Sequence, residues 1–267
     1  MAKNDKKTAA ESTALAPTAS TAVSTPAAGM SGLLAQHAGE GLENASMRDF
    51  ALPFLYVLQK LNPQVDEADD RYVQGAKPGM FINTVTGELF DKIQVIPCDF
   101  QKVFNEWVPR DAGGGFVKSW PTAEAAADGK REDTQIVETA NHYVLVKGKD
   151  GNWAHAVLSL TSTKLKASRN WLSRISQRMI DTPAGRKVAP SFGCIYEINT
   201  VSEKNDKGQY YTVQVQSLEG DAGWVQEEDV FNMAVDFRSQ LNQGRMKVEY
   251  KQNPDETTSG GDEDARY

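Results

Sequence analysis

The residues whose types and spacing could do chemistry are concentrated between Asn141 and Pro190. Nine basic residues stand there (Lys147, Lys149, Lys164, Lys166, Arg169, Arg174, Arg178, Arg186, Lys187), against two acids, Asp150 and Asp181. The chain as a whole carries a formal net charge of −7 at pH 7. Its charges are therefore segregated, and the net value does not exclude a polyanionic partner. Trp171, Arg174 and Arg178 are spaced three and four apart, which places them on one face of a helix. An indole beside two guanidinium groups can stack on a base and hold its phosphates. The same spacing also fits a solvated charged face with the indole tucked beneath a neighbouring strand.

A second set lies in or beside segments with strand character: Phe104, Trp107, Arg110, Phe116, Lys118, Trp120, Tyr143 and Trp153. Each aromatic taken singly reads as core. Together they exceed what one small barrel core requires, so those next to basic residues are expected to face outward. The candidate nucleic-acid-binding residues are Lys102, Trp107, Arg110, Tyr143, Lys147, Trp153, Lys164, Lys166, Arg169, Trp171, Arg174 and Arg178. The cations would contact phosphates, and Trp107, Trp153, Trp171 and Tyr143 would stack on bases. Stacking tolerates any base, so sequence preference would be slight and affinity would fall steeply with salt.

Catalytic signatures do not appear. There is no Walker loop, Gly-x-Gly-x-x-Gly, Gly-x-Ser-x-Gly or His-Glu-x-x-His, and Gly113-Gly114-Gly115 is not directly followed by a Lys-Ser/Thr pair. Asp66, Glu67, Asp69 and Asp70 cluster, but between apolar runs, where a solvated turn is expected rather than a metal site. Cys98 and Cys194, with three scattered histidines (His37, His142, His155), do not compose a zinc site. The cysteines are expected as half-buried thiols in strands. The expectation is a non-enzymatic protein with no cofactor and no metal.

The elements that must position these residues follow from periodicity. Phe54 to Leu61 is a short apolar run bounded by Pro53 and Pro63, a strand or a short helix. Gly79–Asn83 and Leu89–Phe90 flank a Thr-Gly turn and read as a hairpin. Ile93 to Trp107 reads as one long strand, with Cys98, Phe100, Lys102 and Phe104 on one side and an edge or bulge at Pro97. A short helix is predicted over 122–128. Strands at 142–147 and 153–158 form a second hairpin. Thr161-Ser162-Thr163 would cap a helix running to about Met179, with Leu165, Leu172, Ile175 and Met179 facing the core. Strands beginning at Cys194 and Tyr210 make a third hairpin. A last helix covers about 226–242, with Val230, Met233, Ala234, Phe237 and Leu241 on one face. The fold class is a β-rich α+β chain, an antiparallel barrel like the oligonucleotide-binding barrel, elaborated with helices. The alternation fits other β-rich α+β folds equally.

Both ends differ in composition from the middle. Residues 1–45 are rich in Ala, Thr, Ser and Pro and are expected to form a disordered arm, with Leu33-Leu34 as a transient helix or docking peptide. Residues 46–250 form the single folded domain, and 251–267 a disordered acidic tail. In that tail Asp255, Glu256, Asp262, Glu263, Asp264 and Tyr267 would bind partners, the acids mimicking nucleic acid and the tyrosine supplying an apolar anchor. No stretch approaches 18 apolar residues and no signal core follows the basic N-terminus, so a cytoplasmic protein with no membrane partner is expected.

A resemblance adds to this reading. Gly75 to Glu88, Ile93-Gln94-Val95-Ile96-Pro97, Glu106-Trp107-Val108-Pro109-Arg110 and Gly113-Gly114-Gly115-Phe116 look like segments of proteins encoded by tailed bacteriophages. The overall plan resembles phage single-stranded DNA-binding proteins. That resemblance covers about residues 50–245 and the tail, and its motifs are turns and strands. It implies coating of single-stranded DNA in the host cytoplasm during phage replication, recombination or repair. It also implies recruitment of a phage or host polymerase, helicase or recombinase through the tail. The tail departs from the usual pattern in its short acidic run and in Arg266 before Tyr267. Two other classes fit the same composition: a phage structural or assembly protein docking through its arms, and a host-takeover protein binding a host factor or a small ligand. A homo-oligomer is compatible with all three.

Overall fold

The computed structural model describes residues 30–37, 40–41, 43–44, 51–206 and 208–243. The greater part of the N-terminal arm, the expected domain boundary at 46 and the acidic tail with its partner-binding residues lie outside the described residues. Two units are distinguished, Met1–Glu40 and Gly41–Tyr267. In the first, the described part is a short helix, α1 (Ser31–Gln36), whose residues are all exposed.

The second unit is built from β1 (Phe54–Val57), β2 (Phe81–Asn83), β3 (Leu89–Phe90), β4 (Lys92–Trp107), β5 (Phe116–Trp120), α2 (Ala123–Gly129), β6 (Gln135–Lys147), β7 (Trp153–Thr161), α3 (Leu165–Ser176), β8 (Met179–Thr182), β9 (Gly185–Val188), β10 (Tyr196–Asn205), β11 (Gly208–Ser217) and α4 (Glu228–Asn242). Nine strands make one curled, half-barrel sheet in the order β11-β10-β4-β6-β7-β1-β2-β3, with β5 also paired to β4. β8 and β9 form a separate two-stranded hairpin that periodicity did not reveal. It occupies the end of the helix expected to reach Met179. The chain is therefore a β-rich α+β protein. Its pairings are antiparallel except for β1 with β7, which run parallel at Phe54↔Val157 and Leu55↔Leu158. The sheet is thus mixed.

Alternation on these strands sorts side chains onto two faces. The concave face carries Leu55, Val57, Ile93, Val95, Val144, Val146, Ala156, Leu158, Ile198 and Val213, which form the main core with Trp171 of α3. The convex face carries Phe54, Ile96, Cys98, Tyr143, Leu145 and Val157, covered by Ala234 and Phe237 of α4. Strands buried on both faces read as continuous apolar runs, which is why Tyr143–Val146 shows no alternation. Burial of each such large side chain stabilises by about 1.5–3 kcal/mol. Cys98 and Cys194 are both buried free thiols, and burial raises the Cys98 thiol to about 12.

The bulge expected near Pro97 is present, between Pro97 and Asp99 in the register with β6. It reverses the alternation. Cys98 consequently packs on the convex cluster and Phe100 on the concave one, so the two do not share a side.

The curl brings distant segments together. After β1, the Gly79 N–H donates to Leu58 O (2.7 Å) and the Thr200 hydroxyl of β10 donates to Gly79 O (2.5 Å). Gly79 has φ +92°, and a Cβ there would lie 2.7 Å from the Tyr211 ring of β11, so only glycine fits. Beside it, the side-chain amide of Gln59 joins the backbone of Tyr211.

Candidate functional site

α3 begins directly after β7, through a 3-10 turn at Ser162–Lys164. The Thr161-Ser162-Thr163 segment starts the helix as expected, but no side chain caps it. Its buried positions are Ser168 and Trp171, with Leu165 and Ile175 packed beside them. The core face is thus centred one step away from Leu172. Trp171 is fully buried, stacked on the His142 ring of β6 (centroids 4.4 Å apart) and edge-on to Tyr196 (5.8 Å). The spacing of Trp171 with Arg174 and Arg178 therefore does not produce a stacking face, because the indole is the helix's principal core anchor.

His142 is buried between the Trp171 and Phe100 rings, its Nε2 2.8 Å from the Ser168 hydroxyl. Loss of hydration lowers its pKa to about 3, so it is neutral at neutral pH.

The opposite face of α3 is wet. Lys166, Arg169, Asn170, Ser173, Arg174 and Gln177 are exposed and recur at helical spacing along one stripe. Arg186 and Lys187 of β9, also exposed, follow this helix in the chain. Between α3 and the β10–β11 hairpin lies an open cleft of about 260 Å³, lined by Lys166, Asn170 and Arg174 on the helix and by Glu203, Val213 and Val215 on the strands. The Tyr210 hydroxyl donates to the Glu203 carboxylate (2.7 Å), and this bond raises the tyrosine to about 12.

Several candidate residues are placed elsewhere. Lys164 is buried, so its ammonium is not available to a phosphate. Arg178 donates to Gly223 O (2.9 Å) and lies over the Trp224 ring (4.4 Å), holding the segment before α4. Trp107 is 1% exposed and meets Phe116 edge-on, so no base can stack on it. Tyr143 is buried against Phe237, its hydroxyl donating to Gln101 (3.0 Å). These four, with Trp171, correct the expectation that aromatics and cations adjacent in sequence face outward. For Trp171, Tyr143 and Arg178 the contacting groups come from segments distant in sequence, whereas Phe116 reaches Trp107 from the neighbouring strand β5.

Lys102 is exposed and paired with Glu138 at 2.8 Å. Lys147 sits 5.7 Å above the half-buried Trp153 ring, at the turn of the β6–β7 hairpin. Trp153 opens β7, eight residues or roughly 26 Å along the strand from Thr161 at its other end. Lys147 and Trp153 form a cation–aromatic pair of the β6–β7 hairpin and are not among the residues lining the cleft beside α3. Arg110 opens a 3-10 turn after β4, and its side chain lies outside the described residues. Of the twelve candidate residues, Lys166, Arg169 and Arg174 are the ones that α3 gathers on one accessible face.

The remaining polar clusters are structural. Buried Glu106 accepts from Trp120 Nε1 (2.9 Å), the Arg131 N–H (2.8 Å) and the Thr134 hydroxyl (2.7 Å). The Arg131 backbone bond is the largest cause of its lowered pKa. This carboxylate ties β5 and the segment between α2 and β6 to β4. The acidic loop is a turn, in which Asp69 pairs with Arg71 at 3.0 Å. Among the described residues, no cluster of His, Cys, Asp and Glu has a geometry to hold a metal ion, and no helix is long and apolar enough to cross a membrane.

Sequence reasoning missed Gln59, Asn170 and the outer edge of β11. The alternation of residues 210–215 marks a strand, but no local signal says which of its edges remains unpaired.

No curated protein and no solved structure matches the chain. A family match covers residues 24–247, which span the described sheet and all four helices. The chain belongs to the family described as Pam3 phage gp34-like protein.

Proposed function

We propose that this phage-family protein binds and coats single-stranded DNA without catalysing a reaction, during phage DNA replication, recombination or repair. The observation that carries the reading is the stripe of Lys166, Arg169 and Arg174 along the wet face of α3, beside an open cleft and followed by exposed Arg186 and Lys187. Cations spread over the wet face of a rigid helix can meet a flexible phosphate backbone, and each phosphate bound releases counterions. The curled sheet with a helix packed against its concave core is compatible with an oligonucleotide-binding barrel. In this reading the acidic tail competes for the same cations and recruits replication proteins once DNA displaces it. Removal of residues 255–267 then tightens DNA binding, most visibly at low salt.

Titration of fluorescently labelled dT30 at two salt concentrations, with duplex of equal length as competitor, tests the proposal. Salt-sensitive binding that duplex does not compete away supports it. Absence of binding at low salt discards it.

A further inference from the structure

We infer that the cleft between α3 and β11 seats one unpaired nucleobase on the backbone of Val213, with the neighbouring phosphate held by Lys166 and Arg174. The inference rests on the single-stranded DNA reading and adds to it the physical origin of single-strand selectivity.

Gln59 shows which way the edge of β11 faces. Its Nε2 donates to Tyr211 O (2.9 Å), and the Tyr211 N–H donates to Gln59 Oε1 (2.9 Å). Both backbone groups of Tyr211 therefore point away from β10. In an antiparallel ladder this direction repeats every second residue. The register of β10 with β11 is unbroken from Tyr196↔Ser217 to Asn205↔Gly208. Val213 and Val215 consequently present their N–H and C=O on the same outer side, and β11 is the last strand of the sheet on that side. Both residues line the cleft, while their side chains belong to the concave core.

This edge already carries a planar donor–acceptor group at Tyr211, in the form of the Gln59 amide. The Watson–Crick edges of the four bases each set a donor beside an acceptor in one plane, the same pattern as a primary amide. A base could thus occupy the Val213 position as Gln59 occupies that of Tyr211, two residues along. In duplex DNA those base edges are already paired, so duplex is refused. Because the fork offers one donor and one acceptor to any base, little sequence preference follows. Lys166 and Arg174 stand on the helix wall of the same cleft, with Asn170 between them.

The test uses the 15N-labelled full chain and two small probes, thymidine 5′-monophosphate and 2-deoxyribose 5-phosphate, alongside dT30 and an abasic 30-mer. The expected result is that the thymidine nucleotide shifts the Val213 and Val215 amide resonances while the sugar phosphate leaves them in place. The abasic 30-mer is expected to bind roughly tenfold more weakly than dT30, with a similar salt slope. If the nucleotide leaves both amides unmoved, or the sugar phosphate moves them equally, while dT30 binds, the base seat is wrong and the coating reading stands. If neither the nucleotide nor dT30 binds, both fall together.

Discussion

The side-chain amide of Gln59 and the backbone of Tyr211 are joined by two hydrogen bonds of 2.9 Å, across 152 positions of sequence. Gln59 follows β1, and its own N–H is taken by Asn62 Oδ1 (2.5 Å), which fixes the turn that aims the amide. One side chain thereby does for the outer edge of β11 what a further strand would do, and links the two arms of the curled sheet. Gln59→Ala leaves the Tyr211 N–H and C=O without this partner. The expected cost is about 1–3 kcal/mol, read as a lower urea midpoint. An unchanged midpoint would mean that water replaces the amide fully.

Trp171 is expected to behave as a core residue. Trp171→Ala should cost about 3–5 kcal/mol, whereas Trp171→Phe, which keeps a ring against His142, should cost less. In the native chain this indole should be inaccessible to acrylamide and unaffected by added dT30. Single-tryptophan variants retaining only Trp171 would report this directly, and quenching by the oligonucleotide would show that the helix moves.

The α3 cations should separate from Arg178. Lys166→Ala and Arg174→Ala are surface changes, expected within about 0.5 kcal/mol of the parent in stability. Each should also reduce the slope of log K against log salt for dT30 by about 0.7. Arg178→Ala removes the bond to Gly223 and the contact with Trp224, so it should lower stability by about 1–3 kcal/mol and leave the salt slope unchanged. Denaturation and titration on the same three variants provide the comparison. Equal slopes throughout would move DNA contact away from α3.

His142 gives the protein an acid sensitivity of defined sign. Its folded pKa is about 3, against about 6.5 for a free imidazole. Below pH 6.5 the unfolded chain takes up a proton that the folded chain refuses. Its contribution is therefore fully present above pH 6.5 and is lost as pH falls from there towards 3, by up to about 1.4 kcal/mol per pH unit. Urea midpoints at pH 7, 6 and 5 for the parent and His142→Asn should converge as the pH falls. A constant gap between them would refute the assignment.

Much of the architecture was legible in local pattern. The hairpins around Gly87 and Gly151, the long strand interrupted at Pro97, the helix over 123–129 and the amphipathic final helix all follow from period and turn chemistry, which act within a few residues. The charge segregation between Asn141 and Pro190 was equally visible, and so was the family resemblance to phage proteins. Tertiary structure decided which side chains face outward. Whether Trp171 or Tyr143 is buried depends on what packs over it, and His142 and Tyr196 against the first and Phe237 against the second lie on elements far away in sequence. The same holds for the parallel pairing of β1 with β7 and for the outer edge of β11. A strand's residues set its two faces, but its neighbours are chosen only when the whole sheet curls and Gln59 reaches Tyr211.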